Sequence, residues 1–362
     1  MGIMVAVTGK IKNRSMLKGR GHSLPAGLLA IAVLGMALAG CGASSIVVTP
    51  SQVGSILKTY SAANNRSNAH LSAADQALDE AGSALAMDNA QFRIAKATGT
   101  KPGPPFTFTA LASSVPEQLS YPAYFVTLAT TARAQAGCGN LLAFERQNSG
   151  APWKVIYEPG VTVNEVPPFL KSGQWGLLSA GGGLSTPLSA LPEAVASALA
   201  RGENSGNFYP IPTPPASPPA NACFAIPNNH VTDQNLGSQY RFSFAVKPET
   251  PLNGIAIANR NGGATVELTL TMTVNVAISG GYVTIAPNPS SPWTYFLKPG
   301  DYSHLQLLYP IELALVDPPA GHGPWKVVGA YSTITAATGT TVSPSGAGSG
   351  AGSGNTLLSL LH

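Results

Sequence analysis

From Ala264 to Ile278 the chain reads ATVELTLTMTVNVAI, with an apolar side chain at every even position and a polar one at nearly every odd position. Successive side chains of a strand point to opposite faces, so this run places its apolar set on one side only if it is extended. A helix of the same sequence would scatter that set around its circumference. Shorter alternating runs stand at Tyr240 to Val246, Gly254 to Asn259 and Tyr282 to Ala286, so the C-terminal half is read mostly as sheet. Ser279-Gly280-Gly281 predicts a hairpin joining Ala264–Ile278 to Tyr282–Ala286.

The N-terminal half opens with helical signals. Thr49, Pro50 and Gln52 form a capping-box pattern, and Val53, Ile56, Leu57 and Tyr60 follow on one helical face. A second helix is predicted from a Ser72 cap through Leu78, weakened by Gly82, and a short third from near Asp88 with Phe92 turned inward. Beyond Lys101-Pro102-Gly103 the period becomes two, at Phe106 to Ala110, Tyr124 to Leu128 and Leu141 to Gln147. Asn148-Ser149-Gly150 turns the last of these into Trp153 to Tyr157. Pro192 to Arg201 reads as a single helix between two Pro/Gly-rich passages. Ala151-Pro152-Trp153-Lys154-Val155 is echoed by Gly323-Pro324-Trp325-Lys326-Val327, each after a strand and a turn, which predicts two related α+β halves. The expected division is 1–40 leader, 41–49 tether, 50–180 first α+β domain, 181–340 second and β-rich domain, and 341–362 Gly/Ser-rich tail.

The charge is unevenly placed. Residues 1–40 hold Lys10, Lys12, Arg14, Lys18 and Arg20 and no acid; the remainder has 15 basic against 16 acidic residues. The formal charge of +4 therefore belongs to the leader, and no basic stripe remains for nucleic acid. Charged residues are 10% of the chain, well under the usual quarter, while 44% are hydrophobic, so disorder throughout is excluded. After the basic stretch comes an uncharged run from Ser23 to Gly40, and Leu38-Ala39-Gly40-Cys41 matches a bacterial lipobox. The thiol of Cys41 is the group that accepts the diacylglycerol. The run is slightly shorter than the roughly 20 residues that span a bilayer, so a cleaved and acylated leader is expected rather than an uncleaved anchor. Initiation at Met16 would give a leader of ordinary length.

Acylation of Cys41 leaves Cys138 and Cys223. In an oxidising exterior compartment two cysteines read as one disulfide, closing a long loop worth about 4 to 5 kcal/mol of chain entropy. The alternative is two separate buried thiols acting as small hydrophobes.

Catalytic motifs are missing: there is no H-E-x-x-H, G-x-S-x-G, P-loop or G-x-G-x-x-G. His70, His230, His304, His322 and His362 lie too far apart for local metal-ligand spacing, and neither metal nor cofactor is expected. His304 is the one best placed to be structured, and His322 reads as an exposed turn residue. Asp75, Asp79 and Glu80 read either as an acid–base pair or, better, as a solvated helix face with Asp75 capping. Asn64 and Asn68, one turn apart, either line a cavity with Asn65 or cap a helix end, and capping is preferred. Trp153 shares a face with Val155 and is read as core rather than as a sugar-stacking platform.

The order Tyr60-Ser61-Ala62-Ala63-Asn64-Asn65, then Asp75, Leu78, Glu80, Gly82 and Asp88-Asn89-Ala90, resembles the opening of a group of secreted actinobacterial lipoproteins known only as a domain of unknown function. Tyr121-Pro122-Ala123-Tyr124-Phe125, Leu142 to Arg146 with Pro152-Trp153-Lys154, and Asn261-Gly262-Gly263-Ala264 continue the resemblance over most of residues 50–335. It implies helices packed on curved antiparallel sheets in the manner of nuclear transport factor two. With the leader, it implies an extracytoplasmic protein anchored to the cell membrane by lipid. The function expected is non-enzymatic binding or scaffolding, with the membrane, envelope proteins or a small apolar ligand as partners. The alternative is a hydrolase or isomerase of the same cone-shaped fold acting on a small apolar molecule.

Overall fold

The computed structural model describes residues 48–116, 118, 120–170, 183–200, 223–224, 240–249, 254–288 and 292–342. Residues 1–47 (Cys41 included), the Pro-rich passage at 210–220 and the tail from Ser343 lie outside the described residues. Among the described residues no helix is long and apolar enough to cross a membrane.

Helix α1 (Pro50–His70) begins as expected, with Gln52 Oε1 accepting from the Thr49 amide at 2.7 Å and Pro50 in the first turn. Helix α2 (Ala73–Asp79) is capped by Ser72, whose hydroxyl accepts from the Asp75 amide at 3.2 Å. Helix α3 runs from Gly82 to Thr98 and starts six residues before the Asp88 that the sequence suggested. Gly82 does not weaken α2: at φ +59° it makes the corner between the two helices, a conformation that favours glycine. Phe92 is buried on α3 as expected.

Strands β1 (Phe108–Ser114), β2 (Ala123–Thr131), β3 (Cys138–Arg146), β4 (Lys154–Tyr157) and β5 (Gly160–Thr162) follow, then α4 (Leu191–Ala200). The C-terminal half supplies β6 (Tyr240–Pro248), β7 (Ile255–Ala258), β8 (Ala264–Ile278), β9 (Val283–Ile285), β10 (Gly300–Asp317), β11 (Lys326–Ser332) and β12 (Ala336–Thr341). The strand β8 has the predicted ends, but β9 does not fold back on it. It pairs with the start of β10, Val283 opposite Tyr302, so the expected β8–β9 hairpin is absent. The long antiparallel partner of β8 is β10, over Ala264–Ala277 and His304–Asp317, and this takes the edge that β9 would have used.

All these strands belong to one antiparallel sheet, with the order β1-β2-β3-β5-β11-β10-β8-β6. Residues 50–180 and 181–340 thus share a sheet, and the joint is the short β5. Gly160 and Val161 pair with Asn140 and Gly139 on one side and with Ala330 and Gly329 on the other. Strand β10 is long enough to serve two neighbours on its second edge, β12 up to Leu308 and β11 from Ile311. Pro310, which has no amide hydrogen to give, falls between them. Both echoed Trp-Lys segments are returning arms of hairpins, β3–β4 and β10–β11.

The even-numbered residues of β8, from Val266 to Ile278, enter one core with α4 and Trp325. Each fully buried Val, Leu or Ile there contributes about 1.5 to 3 kcal/mol relative to exposure. The odd-numbered face is not solvated at its start: Thr265, Glu267 and Thr269 are buried too. At Thr269 the cover is the first turn of α3, with the Ser83 hydroxyl 2.9 Å from that of Thr269, and Thr265 donates to Asn259 Oδ1 at 3.0 Å. Another core joins α1 to β1–β4 through Tyr60, Phe108, Phe125 and Phe144, with Trp153 edge-on to Phe125 at 5.0 Å. Helix α1 and Trp153 are therefore core elements, as the alternation suggested.

Cys138 and Cys223 are disulfide-bonded, with Cα atoms 5.1 Å apart, tying the start of β3 to a segment 85 positions away.

Candidate functional site

The polar centre of the protein lies where α1, the α2–α3 corner, the end of β4 and the middle of β10 converge. Local structure brings each group there. Tyr60 and Asn64 stand one turn apart on α1. Glu80 ends α2 and bridges Val155 of β4, while the Ala81 amide donates to the Val155 carbonyl at 2.9 Å. Asp88 rides on α3, and Glu158 is the first residue past β4. Glu312 sits in β10 between the apolar Ile311 and Leu313.

The hydrogen bonds around Tyr60 and Glu312 are linked through Glu158, with a Gln76–Asp88 pair beside them. The Tyr60 hydroxyl donates to Glu80 Oε1 at 2.7 Å, lies 3.2 Å from Glu158 Oε2, and accepts from Asn64 Nδ2 at 3.1 Å. Asn64 Nδ2 also lies 3.1 Å from Glu80 Oε1, and Asn68 donates to Asn64 Oδ1. Gln76 Nε2 donates to Asp88 Oδ2 at 3.0 Å. Deeper in, the Ser83 hydroxyl donates to Glu312 Oε1 at 2.7 Å, and the Glu158 amide donates to Glu312 Oε2 at 2.9 Å. Carboxylate oxygens of Glu80, Asp88 and Glu158 all lie within 4.8 Å of one another.

Glu80 and Glu312 are both 0% exposed, and burial is the main reason their carboxyls are held well above the usual range. Burial pushes Asp88 up to about 7 and Glu312 up to about 8. Neighbouring carboxylates add to the effect at Glu80 and Glu158, where Asp88 is the largest charge contribution. Glu267 on β8 is a separate buried carboxyl, raised by burial and then by Glu312, and neither of its oxygens has a hydrogen-bond donor. Removing such a group from water as an ion costs several kcal/mol without a partner. These carboxyls must therefore carry protons, or a cation must balance them.

Oxygens are in excess over donors. Glu80 Oε2 and Gln76 Oε1 have no partner although both residues are 0% exposed. Two surface depressions among the described residues lie elsewhere, one on α3 beside Phe92, Arg93 and Lys96, the other on β6 and β8 beside Lys247 and Thr271.

The sequence-derived candidates are redistributed by this geometry. Asp75, Asp79 and Glu80 do not form one solvated face: Glu80 leaves the helix and is buried against Tyr60, because the chain at the α2–α3 corner is held to β4 through the Ala81 amide and the Val155 carbonyl. The asparagines do not cap α1, which continues to His70; Asn64 serves Glu80, and Asn65 holds the chain before β1 through Phe106, with bonds of 2.6 and 2.9 Å. His322 is exposed at the turn between β10 and β11, and His304 is half-buried in β10. Cys138 and Cys223 meet as proposed, whereas Cys41 lies outside the described residues. Sequence reasoning missed Glu158, Glu267 and Glu312. A usable signal existed for two of them: a lone charge inside the apolar run Ile311 to Val316, and another among the valines and leucines of β8.

A large antiparallel sheet carrying helices, with an acidic centre sealed between them, defines the protein as α+β. Residues 45–339 match a family described as a domain of unknown function, DUF8094, and the chain belongs to that family. No curated protein and no solved structure matches the chain.

Proposed function

We propose that this is a lipid-anchored extracytoplasmic protein of the cell envelope, and that it works as a binding or scaffolding module rather than as an enzyme. The observation that carries this reading is the Cys138–Cys223 disulfide, a bond that persists in oxidising exterior compartments and is rare in the cytosol. It agrees with a basic leader ending in Leu38-Ala39-Gly40-Cys41 and with the near-neutral charge of the rest of the chain. The membrane is the first partner, through acylated Cys41, with envelope proteins or a small apolar ligand as further ones. The actinobacterial lipoprotein resemblance and the two related halves of nuclear transport factor two type belong to the same proposal, supported by the paired Trp-Lys hairpins.

A second reading, a hydrolase or isomerase acting on a small apolar molecule, is favoured by one feature: Asp88 and Glu312 titrate near neutrality, where a general acid works best. The connected bonds that hold Glu312 and Glu80 to Ser83 and Tyr60 favour a structural use of these groups instead.

The anchor is tested with Cys41→Ser in the native host. Loss of labelled fatty acid and release of the protein from membranes is expected; retention of the variant in the membrane overturns the lipoprotein reading.

A further inference from the structure

We infer that the carboxylates of Glu80, Asp88 and Glu158 form a binding site for one hard divalent cation, calcium before the others. Three observations lead there. The three oxygens lie within 4.8 Å of one another, which is the span that two ligands reach across a calcium ion at about 2.4 Å per bond. Every polar atom named at the cluster is an oxygen or an amide nitrogen, with no thiolate or imidazole, and such a donor set suits calcium, magnesium or manganese rather than zinc or copper.

The third observation is independent of the acidic cluster itself. Gln76 is 0% exposed and places its amide at Asp88 through the Nε2 hydrogen bond, yet the carbonyl oxygen of that same amide has no partner. A buried amide oxygen is normally satisfied, so an orphan one beside carboxylates points to a missing positive group. Glu80 Oε2 is a second orphan oxygen of the same kind, on the carboxylate whose other oxygen is already used by Tyr60 and Asn64. The site thus offers three carboxylates, with the buried Gln76 amide against one of them, and a dication would offset two of the three negative charges. Calcium fits better than magnesium because its coordination is flexible, whereas magnesium demands near-ideal octahedral geometry.

The ligands come from the end of α2, from α3 and from the residue after β4. A bound ion would therefore pin the helical layer to the sheet, and this holds whether or not Cys41 is acylated. Affinity of about 10⁻⁴ to 10⁻³ M, the range of extracellular calcium modules, would keep the site filled outside a cell.

The test uses the full-length protein, stripped with EDTA and titrated with calcium by calorimetry and with terbium by sensitised luminescence. One site per chain is expected, with calcium raising the melting temperature by several degrees. Glu158→Gln and Asp88→Asn should each weaken binding by about tenfold or more, while Asp317→Asn, a buried carboxylate at the far end of β10, should leave it within about twofold. No saturable calcium or terbium signal, or binding indifferent to both ligand variants, overturns the site. If Glu158→Gln fails to fold, Asp88→Asn and the EDTA-dependent melting of the unaltered protein still decide.

Discussion

The backbone amide of Glu158 donates to the side chain of Glu312 at 2.9 Å, across 154 positions of sequence. That bond joins the first residue after β4 to the middle of β10, and the other oxygen of Glu312 takes the Ser83 hydroxyl at the start of α3. One buried carboxyl thus ties together the N-terminal strands, the helical layer and the C-terminal strands of the one sheet.

Removing it should be costly. Glu312→Ala leaves the Glu158 amide without its acceptor in a dry place, which costs about 1 to 3 kcal/mol, while the Ser83 hydroxyl keeps Thr269 and the Ile156 carbonyl. Glu312→Gln retains an acceptor and the shape, so it should lose much less. Urea denaturation of the two variants checks the difference; equal losses would mean that volume, not hydrogen bonding, is what matters at this position.

Tyr60→Phe deletes one hydroxyl and leaves Glu80 Oε1 with Asn64 alone. The loss expected is about 1 to 3 kcal/mol, because the phenylalanine ring keeps the packing against Phe108 and Phe144. Thermal unfolding monitored by circular dichroism measures it. A variant as stable as the parent would argue that water replaces the hydroxyl.

Stability should fall as pH rises, through Glu267. Its carboxyl is raised above the ordinary 4.5 by burial, with the charge of Glu312 on β10 adding to it, and Tyr157 at the end of β4 feels the charge of Glu267 in turn. The folded state therefore holds a proton that the unfolded state has lost once the pH passes the ordinary carboxyl range. Between that range and the raised folded value each pH step favours unfolding. Glu267→Gln cannot ionise, so it should gain stability relative to the parent at pH 8 and show no such gain at pH 4. Melting temperatures across that interval test the sign; a parent that becomes more stable with rising pH contradicts it.

Reduction of the Cys138–Cys223 bond should cost about 2 to 5 kcal/mol, by freeing a long loop in the unfolded chain. The double variant Cys138→Ala/Cys223→Ala should show the same loss in chemical denaturation. Intact-mass measurement after alkylation decides whether the bond is present in the native protein: two thiols that react without reductant would sink it.

The sheet was largely legible because its signal is local. Alternation over Ala264–Ile278 placed β8 at its true ends, and the Asn148-Ser149-Gly150 turn placed the β3–β4 hairpin. Pairing was less legible, since register depends on which edge is free: β10 occupied the edge of β8 that the Gly280 turn offered to β9. The acidic centre was hardest, as its members at 60, 80, 88, 158 and 312 come together only through the long-range contacts of α3 and β10. Glu80 was misjudged for a related reason, because nothing local reveals that the chain leaves α2 one residue before it.

The joint between the two sheet halves makes the last prediction. Gly329 on β11 faces Val161 of β5 so closely that an added Cβ would stand 2.3 Å from the valine Cγ1 and 2.6 Å from the Gly160 carbonyl oxygen. The backbone oxygen cannot step aside without breaking the β5–β11 pairing, so Gly329→Ala should cost about 1 to 3 kcal/mol or more. Gly54 supplies the opposite case. It lies exposed on α1 with nothing within 4 Å of an added Cβ, and alanine there should stabilise by about 0.5 to 1 kcal/mol through helix propensity. Comparing the two alanine variants in one denaturation series separates a generic loss of glycine from crowding at the joint. If Gly329→Ala melts with the parent while Gly54→Ala melts above it, the joint is looser than a β5 packed between β3 and β11 allows.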